Sequence, residues 1–120
     1  MGVWGPDIFD DDLTSDMRKT FEDELELGSS VAHATTVVLR EYSEALDDVD
    51  EKPKVWLALA SLQMERGVIQ RHVRDEALAA IDSGADQRRW DEESTPEEAA
   101  ERKQILEELR ARLVASQGTS

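Results

Sequence analysis

The chain contains no cysteine, which excludes disulfides, a thiolate nucleophile and any cysteine-based zinc site. Aromatic residues are scarce, at 5% of the sequence, and basic residues are few. Only 14 Lys and Arg stand against 28 Asp and Glu, for a formal net charge of -14. Such an excess repels phosphate backbones and anionic lipid, so neither nucleic acid nor a membrane surface is expected as a partner. No apolar run approaches the roughly 20 residues of a membrane span. The opening lacks a basic stretch followed by an apolar one, so no secretory signal is expected. Met1-Gly2 matches the start of a myristoylation motif, but Pro6 stands where Ser or Thr is required. A cytoplasmic location is the resulting expectation.

What is present bounds the fold. At 120 residues the chain suits one domain, and 39% hydrophobic residues suffice for one modest core beneath a heavily charged surface. The domain is expected to span residues 1–115, with 116–120 as a frayed tail. The negative charge is uneven. Residues 1–50 hold 14 acidic and 3 basic side chains, a balance of -11. Residues 51–84 hold five of each, and residues 85–120 hold nine acidic and six basic.

Periodicity predicts helices throughout, because no segment sustains the alternation of a strand; one short pairing near the N-terminus stays open. Residues 1–11, with Gly2, Gly5 and Pro6, read as an irregular lead whose apolar Val3, Trp4, Ile8 and Phe9 pack onto the body. Leu13, Met17, Phe21 and Leu25 recur every four residues and predict a helix to about Leu27, with Asp11 and Asp12 at its positive start and Gly28 as its stop. Ser29 or Ser30 caps a second helix expected to reach Leu46. Pro53 opens a third, whose run Val55-Trp56-Leu57-Ala58-Leu59-Ala60 is apolar on most sides and so belongs at the centre. A fourth follows Gly67, with Val73, Ala77, Leu78 and Ile81 on one face and Gly84 as its stop, and Asp86 is placed to cap a short helical turn carrying Trp90. Thr95-Pro96-Glu97-Glu98 is the sharpest local signal: Thr95 as cap, Pro96 in the first turn and Glu98 reaching back predict a capping box and a final helix to about Ala115. The predicted fold is all-α, a compact bundle of about five helices behind an irregular lead. Trp56, Leu59, Ala60, Gly67 and Ala79 follow part of a tetratricopeptide-like spacing, although Gln63 and His72 depart from it, so a helical-hairpin pair in the middle is the expected form.

Chemistry is harder to find. Asp7, Asp10, Asp11, Asp12 and Asp16 are dense enough to suit a hard cation, yet they lack the alternation, central Gly and terminal Glu of a calcium loop. Helix-start electrostatics accounts for them without a metal. His33 and His72 stand alone, no serine sits in a nucleophile-elbow context, and there is no glycine-rich phosphate loop. Arg88, Arg89 and Trp90 form a basic–aromatic patch that Asp86, Asp91, Glu92 and Glu93 neutralise. No catalytic residue, cofactor or metal ligand is assigned, and an enzyme is not expected.

The opening Met1-Gly2-Val3-Trp4-Gly5-Pro6-Asp7-Ile8-Phe9-Asp10-Asp11-Asp12, followed by Asp16, resembles a bacterial family of small acidic proteins classed as a domain of unknown function. Its members open with Met-Gly-x-Trp-Gly, then a Phe, an Asn-Asp or Asp-Asp pair and another Asp. Asp48-Val49-Asp50-Glu51, the run from Val55 to Ala60, and Ile81-Asp82-Ser83-Gly84-Ala85-Asp86 with Trp90 are similar to one branch of it. The likeness covers most of residues 1–113, with Pro6 departing from the usual small residue. It implies a bacterial cytosolic protein, conveys no activity, and carries an association with immunity-like partners of toxins.

These readings converge on a non-catalytic protein-binding domain that engages a basic protein, in concrete form an immunity-like inhibitor of a cationic toxin or nuclease. The expected contacts are Asp7, Asp10, Asp11, Asp12, Asp16, Glu44, Asp47, Asp48 and Asp50. Two alternatives belong to other classes: a helical scaffold or oligomerisation module using the apolar face of the Trp56–Gly67–Ile81 hairpin, and a metal-dependent enzyme holding its ion at Asp7–Asp16. The sequence does not fix an oligomeric state.

Overall fold

Local capping and stop signals divide the chain into helices close to where the sequence places them. The computed structural model describes residues 7–116; the expected roles of Gly2, Val3, Trp4, Gly5 and Pro6, and the tail after Ser116, lie outside the described residues. Among the described residues there are seven helices and no strand: α1 (Asp12–Glu26), α2 (Val31–Glu41), α3 (Ser43–Leu46), α4 (Lys52–Glu65), α5 (Arg71–Ser83), α6 (Ala85–Glu93) and α7 (Pro96–Ala115). The Cα radius of gyration is 13.8 Å, near the roughly 13–14 Å of a compact chain this long.

The caps are formed as their chemistry dictates. Asp11 accepts from the backbone N–H of Thr14, Ser30 from that of His33, and Thr95 and Glu98 close a reciprocal capping box at α7. Gly84 ends α5 in the left-handed region at φ 74°, a conformation that a β-carbon disfavours.

Two expectations about helix extent are revised. The second helix breaks at Tyr42, where φ -109° and ψ 30° interrupt the ladder. The turn places the Tyr42 hydroxyl 3.1 Å from Thr20 Oγ1 on α1 and buries Ala45 beyond it, so tertiary contacts override a continuous apolar stripe. The second revision concerns the turn near Trp90. It is a nine-residue helix, α6, and its N-cap is Gly84 instead of Asp86.

Helix α4 is central. Val55 to Ala60 are all buried, and the helix packs against α1, α3, α5 and α6, which is why an apolar surface on every side is tolerated there. Met17 and Phe21 of α1, Val38 of α2, Val73 and Ala77 of α5, and Leu106, Leu109 and Leu113 of α7 complete one contiguous core. Within α4 the buried polar residue is Gln63, at 0% exposure. Its Nε2 donates to Thr35 Oγ1 and to Gln70 Oε1, both at 2.8 Å, and its Oε1 accepts from the Gln70 backbone N–H at 2.8 Å. One side chain thus ties α4 to α2 and to the start of α5. Replacement by leucine removes all three bonds and leaves the Gln70 N–H without an acceptor. Gln63→Leu is expected to lower stability by about 1–3 kcal/mol, read from the midpoint of urea unfolding.

Candidate functional site

The nine carboxylates predicted as contacts fall on two short stretches, the start of α1 and the α3–α4 turn. Asp7 and Asp10 lie just before α1. The Asp7 backbone N–H donates to Asp10 Oδ2 at 3.2 Å, and Asp7 Oδ1 accepts from the Ile8 N–H at 2.8 Å. Asp12 and Asp16 stand exposed on the outer side of α1, whose opposite side buries Thr14, Met17 and Phe21. Glu44 is exposed in α3, Asp47 caps its end, and Asp48 Oδ1 accepts from the N–H groups of Asp50 and Glu51 at 2.8 and 3.3 Å.

Asp11 joins the two stretches. Its carboxylate caps α1 through the Thr14 N–H at 2.8 Å and the Thr14 hydroxyl at 2.6 Å, and Lys54 Nζ in the first turn of α4 lies 3.1 Å from Oδ2. This contact brings the starts of α1 and α4 together. Arg89 of α6 adds a clasp by donating to the Asp50 carbonyl at 3.0 Å, a contact that leaves the Asp50 carboxylate uncommitted.

Burial raises the Asp11 pKa, but the hydrogen bonds from Thr14 and the charge and hydrogen bond of Lys54 outweigh it and hold the group below the ordinary carboxylate value of 3.8. A carboxyl depressed in the folded state contributes stability above its unfolded pKa and loses it as pH falls through the folded value. Asn caps a helix about as well as Asp but cannot pair with Lys54. Asp11→Asn is therefore expected to melt below the parent at neutral pH, with the gap closing as pH falls below the ordinary carboxylate value of 3.8 and through the lower folded-state value. Melting curves across pH 3–7 measure this.

The remaining eight carboxylates make no ion pair among the described residues, and seven of the nine side chains are exposed, Asp10 and Asp11 being half-buried. Some other acids are paired, Glu22 and Glu65 with Arg18, Asp82 with Arg110, and Asp86 with Arg102, whereas Glu76, Glu92, Glu97, Glu101 and Glu107 also make no ion pair among the described residues. The Asp82 carboxyl is lowered by its hydrogen bond from Arg110, and the Arg110 pKa is raised reciprocally. No group of three or more His, Asp or Glu among the described residues is arranged to hold a metal ion, so Asp7 to Asp16 are spread along the helix start. His33 and His72 are both exposed; His33 Nε2 lies 3.8 Å from Glu24, and the His72 ring meets Trp56 edge-on.

Beside this end lies a cleft of about 380 Å³ whose three cations are all engaged. Lys54 is held by Asp11, Arg89 by the Asp50 carbonyl, and Arg102 by Asp86. The last pair escaped the sequence reading. Arg102 Nε and Nη2 grip the two Asp86 oxygens at 2.8 and 3.1 Å in full burial, with the guanidinium 5.2 Å from the Trp90 ring centre. No protein-family model matches the chain, and no curated protein and no solved structure matches it.

Proposed function

We propose that the chain is a non-catalytic, cytoplasmic binding domain spanning residues 1–115, and that its acidic end captures a basic protein. The observation that carries this reading is the balance of -11 over residues 1–50, where eight carboxylates at the start of α1 and around the α3–α4 turn make no ion pair among the described residues. Carboxylates that merely solubilise a protein need no common location, whereas a cluster left uncompensated raises the local potential and steers an oppositely charged partner. An immunity-like inhibitor that masks a cationic toxin or nuclease is the concrete form, in keeping with the resemblance of the opening segment to small acidic bacterial proteins. The packing of α5 against α4 fits a helical hairpin in the middle of the domain.

The test starts from immobilised protein and a lysate of the source organism, eluted with rising salt. The expected partner is a basic protein whose affinity, remeasured after purification, falls as ionic strength rises. It should fall further when Asp12, Asp16, Asp47 and Asp50 are replaced by Asn. A purified partner indifferent both to salt and to these four substitutions overturns the proposal.

A further inference from the structure

A groove of about 640 Å³ runs between α4, α5 and the α3–α4 turn, next to the acidic end. Its floor is Trp56 with Pro53, its α5 wall is built from Ala79 and Ala80, and Val49 stands at its edge with 77% of its surface exposed. Asp47, Asp48 and Glu76 line the rim without an ion pair among the described residues, and Lys52 is the one cation among the described lining residues. Trp56 is only 9% exposed, yet its indole Nε1 has no hydrogen-bond acceptor among the described residues. A buried N–H without a protein partner is uncommon in a folded protein and is open to an acceptor from water or a bound segment.

We infer that this groove is the anchor pocket of the docking end, and that it takes an apolar side chain flanked by lysine or arginine in a segment of the partner protein. The inference rests on the reading that the acidic end binds a basic protein, and it adds where and how the partner is gripped. The small Ala79 and Ala80 leave room above the indole for an aliphatic side chain. The acidic rim meets the flanking cations, and a small rotation of Trp56 toward the groove offers its N–H to a backbone carbonyl beside the anchor. A second copy of the chain is a poorer occupant, because its own net charge of -14 sets like charges against the rim. A nucleic acid meets the same repulsion.

Two nine-residue peptides separate the possibilities: one with a single central leucine among lysines, and a twin with serine in its place. The leucine peptide should bind roughly tenfold more tightly, as burial of one aliphatic side chain implies, and should shift the Trp56 indole N–H resonance. Ala79→Gln fills the groove from an exposed helix position without changing charge, and it should abolish the leucine advantage while the far-ultraviolet circular dichroism stays unchanged. Equal binding of the twins, or an advantage that survives Ala79→Gln, overturns the anchor pocket. In either case, weakening of both peptides by salt and by Asp12→Asn with Asp16→Asn keeps the acidic end as a docking face. Failure of both peptides to bind removes both readings.

Discussion

Asp86→Ala is expected to lower the unfolding free energy by about 3–5 kcal/mol, and Arg102→Ala by at least as much. Asp86 and Arg102 retain only 2% and 4% side-chain exposure, so either truncation removes the opposite charge from beside its mate in a low-dielectric interior. The energy at stake is the lost charge balance more than the attraction itself, since burying both ions already offsets most of their Coulomb gain. The double variant Asp86→Leu, Arg102→Met removes both charges together and should be more stable than either single alanine variant. Chemical unfolding of the three proteins decides the matter. Small single effects, or a double effect equal to their sum, contradict it. Arg102 has the larger expected effect because it also packs against Trp90 and so holds α6 on α7.

Phe21→Ala should cost about 3–5 kcal/mol, from lost burial and from the cavity left in the core. Phe21 is 0% exposed and is among the largest fully buried side chains of the chain. Leu27, six residues on at the C-cap of α1, is 79% exposed, and its replacement by alanine should change stability by less than about 0.5 kcal/mol. The contrast matters for function. Phe21 secures the helix on which Asp12 and Asp16 stand, so loosening α1 should weaken partner binding as well as folding, whereas Leu27→Ala should affect neither. Thermal melts and partner titrations on the same two variants read both consequences.

What the sequence made legible is what depends on neighbouring residues. The capping box of α7 is written in four consecutive residues, Thr95 to Glu98, and appears as expected because its donors and acceptors are fixed by one helical turn. Gly28, Gly67 and Gly84 all adopt positive φ just after the helices they end, and of the four-residue line on α1 Met17 and Phe21 are buried while Leu13 and Leu25 are half-buried. Contacts between distant segments were hidden. The Tyr42 break answers to Thr20 across the bundle, Gln63 is matched to Thr35 28 residues away, and Asp86 finds Arg102 16 residues on. No periodicity encodes such pairings, since each depends on how whole helices dock. The candidate site divides in the same way. Its acidic residues were visible from composition, but the capture of Asp11 by Lys54, and the groove built on Trp56, arise only when α1, α4 and α5 come together.

The central claim concerns where negative charge lies, and a charge-matched comparison tests it. One variant carries Asn at Asp12, Asp16, Asp47 and Asp50. A second carries Gln at the exposed Glu92, Glu97, Glu101 and Glu107 of α6 and α7, so the two lose equal charge. Affinity for one lysine-rich peptide, measured by fluorescence anisotropy at low salt, should drop about tenfold in the first and less than about twofold in the second. Equal losses would show that total charge, and not the end of the molecule built around Asp11 and Lys54, governs the association.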